Sequence, residues 1–123
     1  MASSVAPLLD VSRIAKLRAL EDEGEPGLVV ELGRDFLTRA SSRLARLREL
    51  LATGDAEEFE LQAHSLTGIT GMFGFMRLHE LCMALEKLTK ERGLEAVGEL
   101  LAEAERAFAE ARPLMLAELG LQE

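Results

Sequence analysis

Apolar residues recur every three to four positions along most of this chain, and glycines interrupt that spacing at intervals. Such spacing places apolar side chains along one face of an α-helix. Ala, Leu, Glu and Arg dominate these stretches and favour helices, whereas the alternation of apolar and polar residues that is typical of a strand is absent. The sequence therefore predicts an all-α protein.

The breaks in the pattern predict five helices joined by short loops. The helices are expected over about 10–22, 27–52, 56–73, 75–92 and from about 94 onward. Gly54, Gly74 and Gly93 are placed to end the second, third and fourth helices, and Asp55 to cap the third. Pro113 should kink or end the fifth, because proline lacks a backbone donor. Short loops join antiparallel neighbours, so we expect an antiparallel up-and-down four-helix bundle with an additional N-terminal helix.

Composition limits the classes of function. The chain has 123 residues and a formal net charge of −8, so it offers no basic stripe for the phosphates of a nucleic acid. It has no apolar run near the ~20 residues that span a membrane, and its N-terminus lacks the charged and apolar regions of a secretion signal.

Cys82 is the only cysteine, so it cannot form an internal disulfide, and its place on an apolar stripe predicts a small core residue. We expect one domain over 1–123, cytoplasmic and monomeric, that binds neither nucleic acid nor membrane; whether the chain is a whole protein or an excised domain stays open.

One histidine, His64, lies in the middle of the predicted third helix and outside its apolar stripe. Its neighbours on the same helix face are small or polar: Glu60, Thr67, Gly68 and Gly71. Glycine inside a helix costs about 1 kcal/mol relative to alanine, so two glycines here indicate that a partner approaches this face closely. A neutral imidazole is a good nucleophile near pH 7, which makes His64 the candidate functional residue.

The segment that contains His64 resembles the histidine-containing phosphotransfer (HPt) family. The motif of that family runs approximately Ala-His-x-Leu-Lys-Gly, a small residue, Gly, and then a helix with Leu-x-x-x-Cys-x-x-Leu-Glu. The positions that fit are Ala63, His64, Leu66, Gly68, Gly71, Gly74, Leu78, Cys82, Leu85 and Glu86. The lysine of the motif is replaced by Thr67, which can donate one hydrogen bond but carries no charge.

The resemblance implies that the chain relays a phosphoryl group through His64, to or from the aspartate of a response-regulator receiver domain in a two-component phosphorelay. The implied partners are such a receiver domain, a hybrid sensor histidine kinase, or both. The receiver would bring its phosphoaspartate, Mg²⁺ and lysine, so the chain needs no cofactor and no kinase activity of its own. The alternative is a non-catalytic helical adaptor that keeps the fold and binds a signalling partner, which the replacement by Thr67 favours.

Other residues are candidates for the surroundings of His64. Met72 and Phe75 either cap the end of the bundle or extend a docking surface beside the histidine. Lys87 and Lys90 fall near the level of His64 on the predicted fourth helix and could replace the missing lysine, although Lys87 also fits a plain solvated charge. His79 is expected to face solvent, and no spacing of ligands predicts a metal site.

Overall fold

The computed structural model describes residues 6–22, 24 and 27–121. Its α-helices are α1 (Val11–Asp22), α2 (Leu28–Thr53), α3 (Ala56–Met72), α4 (Met76–Arg92) and α5 (Gly98–Glu118). In the bundle, α3 packs against α2 and α4, α5 packs against α4 and α2, and α1 lies against α2. Within the described ranges no helix has both the length and the apolarity to cross a membrane, and no strand occurs. The predicted all-α bundle with an additional N-terminal helix is confirmed.

The junction between α2 and α3 forms as its residues predict. Gly54 adopts the left-handed conformation, with φ of 84°, and its N–H donates to the carbonyl of Leu50. The side chain of Asp55 accepts a hydrogen bond of 3.1 Å from the backbone N–H of Glu58. A glycine that ends one helix and an aspartate that begins the next give a tight reversal, so α2 and α3 are antiparallel neighbours.

The last helix differs from the expectation at both ends. Gly93–Ala96 form a 3-10 turn, so α5 begins at Gly98 rather than near Leu94. The helix also continues through Pro113 to Glu118 rather than ending at the proline. Pro113 and Leu114 are exposed, whereas Met115 and Leu116, which follow them in the last turns of α5, are buried. Burial of this last apolar turn therefore outweighs the missing donor of Pro113.

Aromatic packing fills one end of the core. The rings of Phe36 and Phe73 stack with centroids 4.8 Å apart, and Phe75 meets Phe36 edge-on at 4.8 Å and Phe108 at 6.0 Å. Phe75 is fully buried. Its expected place on a docking surface is therefore wrong, because this ring belongs to the end of the core.

Cys82 lies on the buried face of α4, as predicted for a core residue. Burial raises the pKa of its thiol to about 12. The group stays protonated near neutral pH, because the apolar interior disfavours the thiolate. Cys82 is a packing residue rather than a reactive thiol.

The turn between α3 and α4 is held by the segment before α1. Asp10 donates its backbone N–H to the carbonyl of Gly74 at 2.7 Å, and Arg77 donates its N–H to the carbonyl of Pro7 at 3.0 Å. Gly74 has a φ of +78°, and a Cβ at this position would lie 2.4 Å from the carbonyl oxygen of Asp10. Only glycine allows both the conformation and this close approach. We call residues 6–10 the N-terminal strap.

Candidate functional site

His64 lies on the outer face of α3, midway along the helix. Its neighbours Ala63 and Leu66 are fully buried, whereas the side chain of His64 is 70% exposed. The expected exposure of His64 is confirmed. The helix therefore presents an imidazole to solvent from a backbone that the core fixes in place.

One ring nitrogen of His64 has a partner on α4. Nδ1 lies 2.9 Å from Oε2 of Glu86, whose side chain is only 19% exposed. An ionised carboxylate accepts hydrogen bonds, so Nδ1 carries the proton, and the lone pair of a neutral ring lies on Nε2. Among the described residues no hydrogen bond reaches Nε2. The arrangement leaves an oriented imidazole with a free nucleophilic nitrogen.

A cation lies beside the same carboxylate. Nζ of Lys90 is 3.8 Å from Oε2 of Glu86 and 3.5 Å from Oε2 of Glu60. Glu86 therefore lies between the imidazole and the ammonium group, and Glu60 joins the group from α3. Lys87 is exposed and lies beside His79 instead. Of the two lysines predicted near His64, Lys90 is the one that the ion pairs connect to it.

Thr67 does not direct its hydroxyl towards His64. The hydroxyl donates to the carbonyl of Ala63 at 2.9 Å, one turn back in the same helix. The one hydrogen bond that Thr67 can donate is therefore used within its own helix. At this position the chain has neither the charge of a lysine nor a free hydroxyl proton.

The second histidine is half-buried rather than simply facing solvent as expected, because its ring contacts α3. Nδ1 of His79 lies 2.9 Å from the carbonyl oxygen of Thr67 and 3.2 Å from Oγ1 of Thr70. Thr70 is fully buried, and its hydroxyl has two polar neighbours, the carbonyl of Thr67 and the ring of His79. His79 thus bonds α4 to α3 near the strapped turn.

The two glycines on the face of His64 have different surroundings. A Cβ at Gly68 would meet no atom within 4 Å, whereas a Cβ at Gly71 would lie 3.4 Å from Cε1 and Nδ1 of His79. Gly68 leaves open space one turn from His64. A Cβ at Gly71 would be in ordinary van der Waals contact with the ring of His79, so Gly68 is the glycine that supports the interpretation of a face kept clear for a partner.

Exposed apolar side chains lie on α3 and α4, and of these Leu61 lies beside His64 and Met83 lies beside His79 and Lys87. Leu61 is 60%, Met72 58% and Met83 50% exposed. Leu61 lines a shallow depression of about 430 Å³ together with His64 and Glu86. The exposure of Met72 agrees with the alternative that this residue extends a docking surface. Leu61 and Met83 were missed, although both are apolar residues outside the apolar stripes, which is the sequence signal for an exposed apolar surface.

Glu86 is the other residue whose role the sequence analysis missed. It fits the family motif, but nothing marked it as the partner of Nδ1. Antiparallel pairing of α3 with α4 places residues 83–87 near the level of His64. A carboxylate in that range was the available signal for a partner of the ring.

Comparison with known proteins gives matches of two kinds. A family model described as the Hpt domain matches residues 31–119. Histidine-containing phosphotransfer protein B (HptB) from Pseudomonas aeruginosa PAO1 is similar in structure, with a TM-score of 0.83, 29% identity, and coverage of 92% of this chain and 95% of that one. The maize histidine-containing phosphotransfer protein ZmHP2 has the same fold, with a TM-score of 0.80 and 23% identity over 94% of this chain and 91% of the maize chain. No curated protein matches the sequence significantly.

Proposed function

This chain belongs to the Hpt domain family, and from that membership we propose that His64 is the residue that carries the phosphoryl group. The function of the chain is histidine phosphotransfer in a two-component phosphorelay. The observation that supports His64 is its free Nε2 on an exposed ring whose Nδ1 is bonded to Glu86 at 2.9 Å. The other histidine, His79, uses its Nδ1 to bond the backbone of α3.

The proposed step begins with Nε2 attacking phosphorus. Its lone pair forms the N–P bond while the bond between phosphorus and the oxygen of an aspartyl phosphate breaks, and the aspartate leaves as a carboxylate with the bonding electrons. The proton on Nδ1 stays in place, so the ring becomes cationic as it gains the phosphoryl group. Reversal of the same step returns the group to an aspartate.

Glu86 suits this change of charge. Its carboxylate accepts from Nδ1, so it fixes the tautomer before transfer and stabilises the cationic ring afterwards. Phosphoryl transfer depends on positioning and charge neutralisation more than on acid–base chemistry. An oriented, accessible imidazole is therefore the main requirement on this side of the reaction, and the partner would supply the aspartate and its Mg²⁺.

The proposed partner is a response-regulator receiver domain, a hybrid sensor histidine kinase, or both, as for Hpt domains in general. The receiver would contribute the aspartate and Mg²⁺, and the chain would act as a monomer in the cytoplasm. Its docking surface would be centred on His64, with open space at Gly68 and exposed Leu61 and Met72. Apolar side chains among polar groups are typical of such surfaces.

Matched substitutions of the two histidines test the proposal. After incubation with a phosphorylated receiver domain, the natural chain should acquire one acid-labile, base-stable label. His64→Gln should abolish the label and change the free energy of unfolding by less than about 0.5 kcal/mol, since surface substitutions have small effects. His79→Gln should keep the label and lose about 1 kcal/mol of stability, because it disrupts a bond between helices.

Opposite results would contradict the assignment. A label that persists in His64→Gln would place the phosphoryl group on another residue. If the natural chain binds the phosphorylated receiver but acquires no label, it acts as an adaptor. Circular dichroism and urea unfolding of each variant separate a loss of chemistry from a loss of fold.

A further inference from the structure

We propose that Lys90 is the phosphoryl-binding cation of this site and takes the role of the lysine that Thr67 replaces. The proposal rests on His64 being the phosphoacceptor. It begins from a shared atom: Oε2 of Glu86 lies 2.9 Å from Nδ1 of His64 and 3.8 Å from Nζ of Lys90. One carboxylate oxygen therefore separates the ammonium group from the ring before any phosphoryl group arrives.

Lys90 is weakly held in the resting site. Its two ion pairs are long, at 3.5 Å to Glu60 and 3.8 Å to Glu86, and its side chain is 57% exposed. Exposed pairs of this kind contribute little to stability, so Nζ is free to change partner. A phosphoryl group on Nε2 brings close to two negative charges and strong acceptor oxygens to the same neighbourhood, and should draw Nζ away from the carboxylates.

The charges around His64 require such a cation. Glu60 and Glu86 both lie beside the ring, and without Lys90 they would repel a dianionic phosphoryl group. After transfer, Glu86 faces the protonated Nδ1 and so has a positive group of its own. Lys90 is then released to the phosphoryl oxygens, and each new charge meets an opposite one.

The other candidates for this role are occupied or lie elsewhere. The hydroxyl of Thr67 donates to the carbonyl of Ala63. Lys87 is on the same helix but lines a depression with His79, Met83 and Glu80 rather than with His64. Among the described residues, Lys90 is the cation that ion pairs connect to the partner of His64.

The test compares Lys90→Gln with Lys87→Gln, a matched change one turn away on α4. Phosphorylated receiver domain is the donor, and two quantities are measured: the rate of transfer to His64 and the half-life of the isolated phospho-His64. We expect Lys90→Gln to lower both about fivefold, which corresponds to about 1 kcal/mol. Lys87→Gln should leave both near the natural values.

Further variants test whether the positive charge of Lys90 is what matters. Lys90→Arg should retain most of the rate, and Thr67→Lys in the Lys90→Gln background should restore it, because a lysine there lies one turn from His64. The difference between the natural chain and Lys90→Gln should shrink as salt is raised from about 0.05 to about 1 M, where the Debye length falls to about 3 Å. A merely structural role for Lys90 would produce neither the rescue nor the salt dependence.

The proposal is overturned if Lys90→Gln transfers at the natural rate, if Lys87→Gln loses as much, or if Thr67→Lys restores nothing. These outcomes differ from failure of the phosphoacceptor assignment. That assignment fails if His64→Gln still acquires the label or if the natural chain acquires none, whereas the proposal for Lys90 fails while the natural chain is labelled and His64→Gln is inert.

Discussion

The two histidines lie on facing helices, and their surroundings differ in one decisive respect. Nδ1 of His64 is bonded to a side-chain carboxylate, and the ring is 70% exposed. Nδ1 of His79 is bonded to the backbone carbonyl of Thr67, and the ring lies against Gly71. A backbone carbonyl fixes a ring as part of the packing between helices. A carboxylate can stabilise the added charge of a ring that reacts, and this difference in the partner of Nδ1 is the reason that we propose His64, rather than His79, as the phosphoacceptor.

Gly68 and Gly74 show a similar contrast between the surface beside His64 and the turn that joins α3 to α4. A side chain at Gly68, near His64, would enter open space. Gly74, in the turn between α3 and α4, instead contacts the backbone of the N-terminal strap. One glycine keeps a surface clear, and the other permits a close contact between two segments of backbone. Substitutions at these glycines should therefore affect different properties of the protein.

The largest expected effect on stability is at the turn. Gly74→Ala should lower the free energy of unfolding by roughly 1–3 kcal/mol through its positive φ alone, and the clash with Asp10 should add to this loss. Gly54→Ala is the matched control, because Gly54 also has a positive φ of +84° but no neighbour within 4 Å of an added Cβ. Urea unfolding measures both. Equal losses in the two variants would mean that the strap moves aside and does not fix the turn.

A smaller effect is expected at Gly68, on the face of α3 that carries His64, and it concerns the rate of phosphoryl transfer rather than stability. Gly68→Gln should leave stability unchanged or raise it by up to about 1 kcal/mol, because glycine is a poor helix former. It should slow transfer from the phosphorylated receiver about tenfold, equivalent to about 1.4 kcal/mol of lost docking or transition-state binding. Gly71→Gln provides the contrast: its side chain would begin in contact with the ring of His79, so it should gain less stability than Gly68→Gln. If Gly68→Gln transfers at the natural rate, the open face is not the docking surface.

The fold was accessible from the sequence because its determinants are local. Spacing of apolar residues, the glycine at position 54 and the aspartate at position 55 each act over a few residues, and they produce the predicted helices. The prediction for Pro113 was wrong because the effect of a proline depends on the burial of the residues on its C-terminal side. The buried Met115 and Leu116 extend α5 past the proline through contacts with other helices, which local rules do not represent.

The site was predictable only in part, for the same reason. The exposure of His64 follows from its place outside the apolar stripe of α3. The burial of Phe75 depends on Phe36 and Phe108, which are distant in sequence. Likewise the contact of His79 with Thr67, and the choice of Lys90 over Lys87, depend on how α3 and α4 are rotated against each other. Helical spacing fixes the face of a side chain on its own helix but not its partner on the next.

The most direct test of the central claim is to locate the phosphoryl group on the folded chain. After the full chain is phosphorylated by a receiver domain, ³¹P NMR and ¹H–¹⁵N correlation of the histidine rings identify both the residue and the ring nitrogen that carry the group. The account predicts a single phosphohistidine, bonded at Nε2 of His64, with the proton of Nδ1 retained beside Glu86. A phosphoryl group on Nδ1 of His64 or on either nitrogen of His79 would contradict it.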